Sequence, residues 1–459
     1  MLAPILGPSF IKFGQSLATR ADLIGVDTAK AIAALQDRLP AEPYAAIRAV
    51  IEQELGQKIE QLFADFDPIP VAAASIAQVH FATTHDGKQL AIKVLRPDIA
   101  EKFAADLAFF SWGANLLHRN FPSLRRLRLP EAVAVFAASV RMELDLRLEA
   151  AAASEFRQNF AADVGFTVPR VHWDFTTRRI VGFDRVAGIR IDDQAGLAQL
   201  AASGISRQDI LRHAAEAFFK SVFRDGFFHA DLHPGNLFIG GDGTIHAVDF
   251  GIMGRLDKKT RLFLADMLLG FLTGDYARVA EIHRQAGYIP PDQSVSDFAQ
   301  YCRAIGEPLL DKSLAEISLG RLLAQLFEVT AEFKMETQPH LLLLQKTMVV
   351  AEGVGRMLDP TVNMWLLAQP LIEQWMRENR GLKARLFEHI NKISDTLQKL
   401  PDFIDASQNG MRLHQDSLHF LAQHLSPRRP GIFLTRLNLL LIMVMMFFLG
   451  VVAGRVLAL

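Results

Sequence analysis

Three oxygen-bearing side chains near the middle of the chain constrain its fold and chemistry more than any other feature. Asp231 and Asn236 are followed by Asp249, which begins an Asp-Phe-Gly triplet. Two short apolar runs flank a Gly241-Asp242-Gly243 turn between Asn236 and Asp249, a pattern that predicts a β-hairpin. Such a hairpin would bring the three side chains together. Hard oxygen ligands of this kind suit Mg²⁺, which keeps its remaining positions for water and phosphates.

The order Asp-x-x-x-x-Asn followed by Asp-Phe-Gly is that of the catalytic and metal loops of protein kinases. Asp231 alone could cap a turn and Asp249 alone could end a strand, but the combined spacing favours the kinase interpretation. His229 and His233 lie four residues apart, as zinc-binding pairs on helices do. A Pro-Gly pair follows at once and argues against a continuous helix, so we interpret both histidines as structural.

A second informative stretch, Pro70 to Leu95, has the alternating pattern of β-strands, with a His85-Asp86-Gly87 turn that predicts a hairpin. Its Ala-Ile-Lys-Val run resembles the kinase strand that carries the phosphate-binding lysine, here Lys93, although a lysine among apolar neighbours could also face solvent. Kinases place a glycine-rich loop ahead of that lysine, whereas this chain has alanines. Alanine disfavours the positive φ angles available to glycine, so the loop should lie differently over a nucleotide. The predicted nucleotide-binding residues of this loop are Ala72, Ala73, Ala74 and Ser75.

A long helix is predicted from Glu131 to Phe160 and would supply carboxylates to the site. On a continuous helix Asp145 and Glu149 share a face, and Glu143 is turned away from them. A kinase-like site needs a helical glutamate to pair with the strand lysine, and we assign that role to Glu149. Position alone does not exclude a plain surface role, because carboxylates on alanine-rich helices are commonly solvated.

Two further strands and a link are predicted after this helix. The strands are Val168 to Trp173 and Arg179 to Phe183, and the link that follows would offer the main chain of Asp184 and Val186 to an adenine edge. Ser206 is predicted to cap an amphipathic helix that leads into the catalytic stretch. Beyond the Asp-Phe-Gly triplet there is no Ala-Pro-Glu motif, and the pattern is helical from Lys258 onward.

The two ends of the chain carry their own signals. Lys12 and Gln15 share one helical face, which by spacing alone indicates a solvated surface. At the other end, Leu437 to Gly454 contains no charged residue, and residues 437–459 are long enough at about 1.5 Å per residue to cross a bilayer core of about 30 Å. Arginines precede this segment, so the catalytic body is expected on the cytoplasmic side. A buried or helix-pairing tail is the alternative.

Composition narrows the class of protein. The net charge is −1, which argues against nucleic acid as a partner. Cys302 is the single cysteine, so no internal disulfide can form.

Taken together, these segments resemble the UbiB family of atypical, protein-kinase-like ATPases associated with ubiquinone biosynthesis. The match includes a K-x-G-Q motif from Lys12 to Gln15, the alanine-rich loop at residues 72–75, and an E-x-D motif formed by Glu143 and Asp145. In such proteins the K-x-G-Q segment covers the active site next to the E-x-D residues. The resemblance therefore implies that Lys12, Gln15, Glu143 and Asp145 are active-site residues.

The resemblance implies an α+β, bilobal protein-kinase-like fold. The expected parts are a helical N-terminal extension with K-x-G-Q, a kinase-like N-lobe, a largely helical kinase-like C-lobe, a helical C-terminal region and a transmembrane anchor; their ranges are 1–66, 67–186, 187–345, 346–430 and 431–459. The expected location is the bacterial cytoplasmic membrane, with a single C-terminal transmembrane helix.

The implied function is that of a Mg²⁺-dependent ATPase that binds ATP and ADP and acts on or exposes polyprenylphenol intermediates. Lys93 would orient the phosphates, held by Glu149. Asn236 and Asp249 would ligate Mg²⁺, and Asp231 would position or deprotonate the attacking group, expected to be water. Expected partners are anionic lipid, polyprenylphenols and other ubiquinone-synthesis enzymes. The alternatives are a nucleotide-binding scaffold or lipid chaperone without required turnover, and a genuine small-molecule or protein kinase.

Overall fold

The computed structural model describes residues 8–18, 40–121, 129–310, 338–359 and 364–380, together with scattered residues between 325 and 335. The chain forms two compact units, residues 1–379 and 380–459, and every described residue except Arg380 belongs to the first. The five-part division expected from the sequence stays a prediction.

Twelve strands form three sheets within the described residues. In chain order they are β1 (Asp65–Phe66), β2 (Ala72–Ala73), β3 (Ala77–Thr83), β4 (Gln89–Leu95), β5 (Phe166–Thr167), β6 (Val171–His172), β7 (Ile180–Asp184), β8 (Ile189–Arg190), β9 (Phe227–His229), β10 (Leu237–Ile239), β11 (Ile245–Ala247) and β12 (Met253–Arg255).

Thirteen α-helices surround these sheets within the described residues. They are α1 (Pro8–Ala18), α2 (Tyr44–Leu55), α3 (Ile59–Leu62), α4 (Ile99–Asn120), α5 (Leu129–Glu143), α6 (Leu146–Asn159), α7 (Gln194–Ala202), α8 (Arg207–Phe219), α9 (Lys258–Leu272), α10 (Tyr276–Gln285), α11 (Val295–Leu310), α12 (Pro339–Leu358) and α13 (Met364–Arg380).

The first sheet is antiparallel and has the order β1-β3-β4-β7-β6, with β2 paired to β3. Strands β3 and β4 form the hairpin expected around the Asp86-Gly87 turn, where Gly87 adopts a φ of 83°. The following pair expected from the sequence is also present as β6 and β7, although β6 is shorter than predicted. This sheet carries Lys93 on its central strand β4.

The second sheet contains the hairpin that the Asp-Gly turn predicted. Strands β10 and β11 pair with Leu237 opposite Ala247, and β8 and β5 extend the sheet on either side to give the order β5-β11-β10-β8. Ser206 caps α8 by accepting a hydrogen bond from Gln208 N, as expected. Helix α8 passes into a π-helical turn, Lys220–Asp225, which ends at a left-handed Gly226 just before β9.

The predicted continuous helix from Glu131 to Phe160 is wrong. It divides into α5 and α6 at Leu144 and Asp145, where Asp145 has extended backbone angles and its carboxylate accepts a hydrogen bond from Arg147 N. A short acidic side chain competes well for backbone N–H groups at a helix start, which makes aspartate a good N-cap and a poor interior residue. Glu149 therefore lies in the first turn of a new helix rather than one turn beyond Asp145 on the same one.

One apolar core cluster joins the first sheet to the β10–β11 hairpin through α6. It includes Val181 of β7, Phe156 of α6, Leu237 of β10 and Phe250 of the Asp-Phe-Gly triplet. Because packed interiors resist local displacement, this continuity fixes Lys93 and Asp249 relative to each other.

The membrane localisation expected from the sequence is wrong for the residues that the structure describes. None of their helices combines the length and the apolar character needed to cross a bilayer. The longest, α4 and α12, are interrupted by charged residues such as Asp106 and Lys346. The expected anchor at residues 431–459 lies outside the described residues.

Candidate active site

Lys93 stands at the centre of a charged cluster built from three distant parts of the chain. Its Nζ lies 2.8 Å from Glu149 Oε1 and 2.8 Å from Asp249 Oδ1. Alternation along β4 buries Ile92 and Val94 in the opposite direction, so Lys93 is directed toward α6 and the hairpin. The side chains of Lys93 and Glu149 are 15% and 5% exposed, whereas that of Asp249 is 48% exposed.

Lys93 and the two carboxylates shift one another's pKa values, as does burial. Burial alone would lower the pKa of Lys93, but the neighbouring Asp249 and Glu149 raise it above its ordinary value. Burial raises the pKa of Glu149, although Lys93 opposes that effect. The Lys93 ammonium group holds the pKa of Asp249 below its usual range, with a smaller contribution from Lys12. Lys93 is therefore charged, and Asp249 is a carboxylate that solvent can reach.

Asp249 adopts a strained backbone conformation at the end of the hairpin. Its φ is 65°, in the left-handed region that non-glycine residues seldom occupy. Val248 N donates to Asn236 O at the base of the hairpin, and Phe250 is fully buried against His229. Tight pairing before Asp249 and burial after it hold the residue in this conformation, as is common at functional sites.

The two histidines make main-chain hydrogen bonds. Asp231 N donates to His229 Nδ1 at 3.1 Å, which assigns the ring proton to Nε2, and Nε2 lies 3.2 Å from Val248 O. Burial lowers the pKa of His229, so the ring is neutral. His233 Nδ1 accepts a hydrogen bond from Gly235 N. These contacts agree with a structural role.

Asp231 and Asn236 are close together, as the spacing predicted, but they are linked through the main chain. Asn236 Nδ2 donates to Asp231 O at 3.1 Å. The Asp231 carboxylate instead accepts a hydrogen bond from Lys346 Nζ at 2.7 Å. Sequence reasoning missed Lys346, because it lies 115 residues further on in a helix without a recognisable motif.

The alanine-rich loop is anchored from behind by an arginine. Ala72 and Ala73 pair with Val79 and Gln78 as strand β2, and Ala74 N donates to Ala77 O to close the turn. Arg96 Nε and Nη2 donate to Ala74 O at 3.0 and 2.9 Å. The side chain of Arg96 is 5% exposed and also pairs with Glu42 at 2.9 Å.

Ser75, the last residue of the loop, is fully buried, and its hydroxyl has no hydrogen-bond partner within the described part of the chain. Sequence reasoning also missed Arg96, although an arginine directly after a buried strand was available as a signal.

The structure brings Lys12 and Glu143 together. Lys12 Nζ lies 3.0 Å from Glu143 Oε2, and both side chains are largely buried. Helix α1 is anchored by Phe13, which stacks on Phe110 of α4 at 4.6 Å. Asp145 caps α6 and pairs with Arg147, and the Gln15 side chain lies outside what the structure describes.

One main-chain group of the link after β7 is already engaged in a hydrogen bond. Asp184 ends β7, its N–H donates to Arg170 O, and its carboxylate contacts His172 Nε2 at 2.6 Å. The Asp184 N–H is therefore engaged within the protein, and the expected use of the remaining main-chain groups of Asp184 and Val186 by an adenine edge stays a prediction. Val186 follows in irregular backbone and is half-buried.

An antiparallel sheet with a central lysine, a helical glutamate paired to it and an Asp-Phe-Gly hairpin define a protein-kinase-like domain. The comparisons with known proteins agree. Residues 34–283 match the family model of the ABC1 atypical kinase-like domain, and residues 302–363 match that of the UbiB helical domain. The chain belongs to the UbiB family.

One relative is a probable protein kinase UbiB from Marinobacter nauticus. It is 40% identical over 401 residues, which cover 86% of this chain and 73% of the relative. Among solved structures, the complex of Rv3197 with erythromycin from Mycobacterium tuberculosis is similar in fold, with a TM-score of 0.52. It is 24% identical, and the similarity covers 78% of this chain and 90% of that one. A kinase-like domain implies nucleotide binding.

Proposed function

We propose that this protein is an atypical kinase that hydrolyses ATP with Mg²⁺ and supports ubiquinone biosynthesis by acting on polyprenylphenol intermediates. The observation that carries the proposal is the contact of Lys93 with both Glu149 and Asp249 at 2.8 Å. This arrangement is the one that phosphoryl-transfer sites of the kinase class use to hold and neutralise a nucleotide's phosphates.

In this proposal Lys93 orients the phosphates of ATP or ADP, and Glu149 holds its ammonium group in place. The loop from Ala72 to Ser75 lies over the nucleotide, and the hydrogen bond from Arg96 to Ala74 O fixes the position of the loop. Lys12 pairs with Glu143 and covers the same site from α1. A covered site excludes bulk water and strengthens the electrostatic interactions within it.

The donor set of the hairpin fits Mg²⁺. Asn236 donates through Nδ2 to Asp231 O, which leaves its amide oxygen for a cation, and the Asp249 carboxylate is accessible. No three His, Cys, Asp or Glu side chains among the described residues form a metal site by themselves, so water and phosphate oxygens would complete the ligand set. When bound, Mg²⁺ supplies positive charge at the phosphates.

Asp231 acts on the attacking group, for which we propose water. Its side chain is 34% exposed, and the contacts of His229 and Asn236 with its main chain fix the position of the residue within the loop. As the water oxygen bonds to the terminal phosphorus, Asp231 accepts a water proton and ADP leaves with the electrons of the broken P–O bond.

The test separates turnover from binding. Asp231→Asn keeps the shape of the side chain but removes its basicity, so phosphate release from ATP should fall at least about a hundredfold while nucleotide affinity is retained. Asp242→Asn, in the exposed turn of the same hairpin, is the matched control and should behave as the wild type. Full turnover in Asp231→Asn would overturn the proposed chemistry.

A second candidate is a nucleotide-binding scaffold or lipid chaperone without required turnover. Large apolar side chains exposed on α4, among them Phe109 and Trp112, and Phe121 directly after the helix favour it, because a prenyl chain could pack on such a surface. Restoration of ubiquinone synthesis by Asp231→Asn in a deletion strain would support the scaffold, and failure to restore it would support the ATPase.

A genuine small-molecule or protein kinase is a third candidate, which transfer of labelled phosphate to a prenylphenol or to a protein would identify.

A further inference from the structure

Lys346 of α12 reaches the carboxylate of the proposed catalytic base. Its Nζ lies 2.7 Å from Asp231 Oδ1, and the two side chains are 42% and 34% exposed. Residue 346 lies within the range that matches the UbiB helical domain, whereas Asp231 lies within the atypical kinase-like domain. The contact therefore joins the two matched regions at the active site.

The position of Lys346 is set by buried neighbours rather than by the ion pair itself. Leu344 and Met348 of α12 are buried in one core cluster, and Val354 and Leu358, further along the helix, are buried in the cluster that contains the β10–β11 hairpin. Helix α12 is thus anchored in both clusters. Its lysine is held at Asp231 even though an exposed ion pair contributes little to folding.

The contacts of the catalytic loop divide into two kinds. His229 and Asn236 bond the main chain of Asp231 and fix where the residue lies. They do not determine how its carboxylate is turned. Within the described part of the chain, the only hydrogen bond to that carboxylate comes from Lys346, and it engages Oδ1 and leaves Oδ2 for a proton.

We propose that Lys346 is a positioning residue for Asp231, so that the helical domain completes the active site of the kinase-like domain. This inference rests on the proposed ATPase function. Lys346 holds Oδ1 of Asp231 and so directs the free oxygen Oδ2 toward the attacking water. Loss of orientation at a reacting group costs up to about a hundredfold in rate without a matching loss of substrate binding.

The experiment measures kcat and KM for ATP in the full chain. Lys346→Ala should lower kcat at least about tenfold and change KM by less than about twofold, because it removes orientation rather than binding. Lys346→Arg should restore part of kcat. Arg356→Ala is the control: Arg356 is an exposed cation on the same helix that pairs with Glu352 at 2.9 Å, and its loss should leave both constants unchanged.

A double variant distinguishes positioning from a general effect on the fold. If Lys346 acts through Asp231, Lys346→Ala combined with Asp231→Asn should be no slower than Asp231→Asn alone. Unchanged or raised kcat in Lys346→Ala, with Asp231→Asn inactive, would overturn this inference and leave the proposed function standing. Wild-type turnover in Asp231→Asn would overturn the proposed function itself.

Discussion

Lys93 balances two carboxylates in different surroundings, one buried and one half exposed. Glu149 depends on it most, because a buried carboxylate without a counter-charge is costly. Asp249 is half exposed, so solvent weakens its interaction with Lys93. Its lowered pKa shows that the group is ionised, and we expect the interaction to add little to the free energy of unfolding.

Replacing Lys93 with methionine should therefore destabilise the fold through Glu149. We expect the free energy of unfolding to fall by about 3 kcal/mol at pH 7, the order found when one partner of a buried ion pair is removed. Urea denaturation measures the change. Lys88→Met removes an exposed lysine that pairs with Asp86 and should change stability by less than about 0.5 kcal/mol.

The dependence of this loss on pH has a definite sign. Burial raises the pKa of Glu149, and removing Lys93 removes the charge that opposes that rise. A carboxyl group whose folded pKa is raised stabilises the fold below its unfolded pKa, and that stability is lost as the pH rises through the folded pKa. The variant should therefore be closer to the wild type at pH 5 than at pH 8. An equal deficit at both pH values would contradict this account of Glu149.

At the scale of elements, the alanine-rich loop is a short strand and a turn that are held in place by Arg96. Arg96 donates twice to Ala74 O, so it positions the loop without being directed at the nucleotide. Alanine at these positions is compatible with the β pairing of β2, which a glycine-rich loop would weaken by about 0.5–1 kcal/mol per residue.

Arg96→Ala should release the loop and weaken nucleotide binding. We expect the Kd for ATP to rise about tenfold, the equivalent of one charge-assisted hydrogen bond. Glu42→Gln is the matched control, because it removes the ion pair and leaves both donations to Ala74 O, and it should have the smaller effect. Titration calorimetry gives both constants. If Arg96→Ala lost stability and kept its affinity, the loop would not be part of the nucleotide site.

The elements that sequence reasoning predicted well are those with local signals. Both hairpins are marked by Asp-Gly turns between apolar runs, and the turn alone sets most of their geometry. The break between α5 and α6 was missed because Asp145 lies inside an otherwise helical pattern, and one N-cap residue does not interrupt that pattern.

The site residues that carry a local motif were likewise the ones that the sequence predicted. Lys93, Asp231, Asn236 and Asp249 stand in a recognisable order, and the structure brings them to one region. Lys346 acts through a contact that depends on how whole elements pack, so no local spacing indicates it. Arg96 had one local signal, its place directly after a buried strand, but its contact with Ala74 O depends on packing as well. The N–H of Asp184 is taken by Arg170 O, a contact that also depends on packing, and the predicted use of the main chain of this link by adenine stays a prediction.

At the scale of the whole molecule, one apolar core cluster connects the sheet that carries Lys93 with the hairpin that carries Asp249. A nucleotide bound between them would contact both. A ligand that binds only the folded state raises the free energy of unfolding by about 2.7 kcal/mol at a hundred times its Kd. We therefore expect MgATP to stabilise the kinase-like unit as a whole.

The proposed Mg²⁺-dependent nucleotide site is tested most directly by the shift in unfolding temperature caused by ATP, measured with Mg²⁺ and with EDTA, in the wild type, Asp249→Asn and Asp242→Asn. We expect Mg²⁺-dependent stabilisation of the wild type and of Asp242→Asn, and little or none in Asp249→Asn, which lacks the carboxylate proposed to bind the cation. Equal stabilisation of all three proteins, or none in the wild type, would contradict the proposed site.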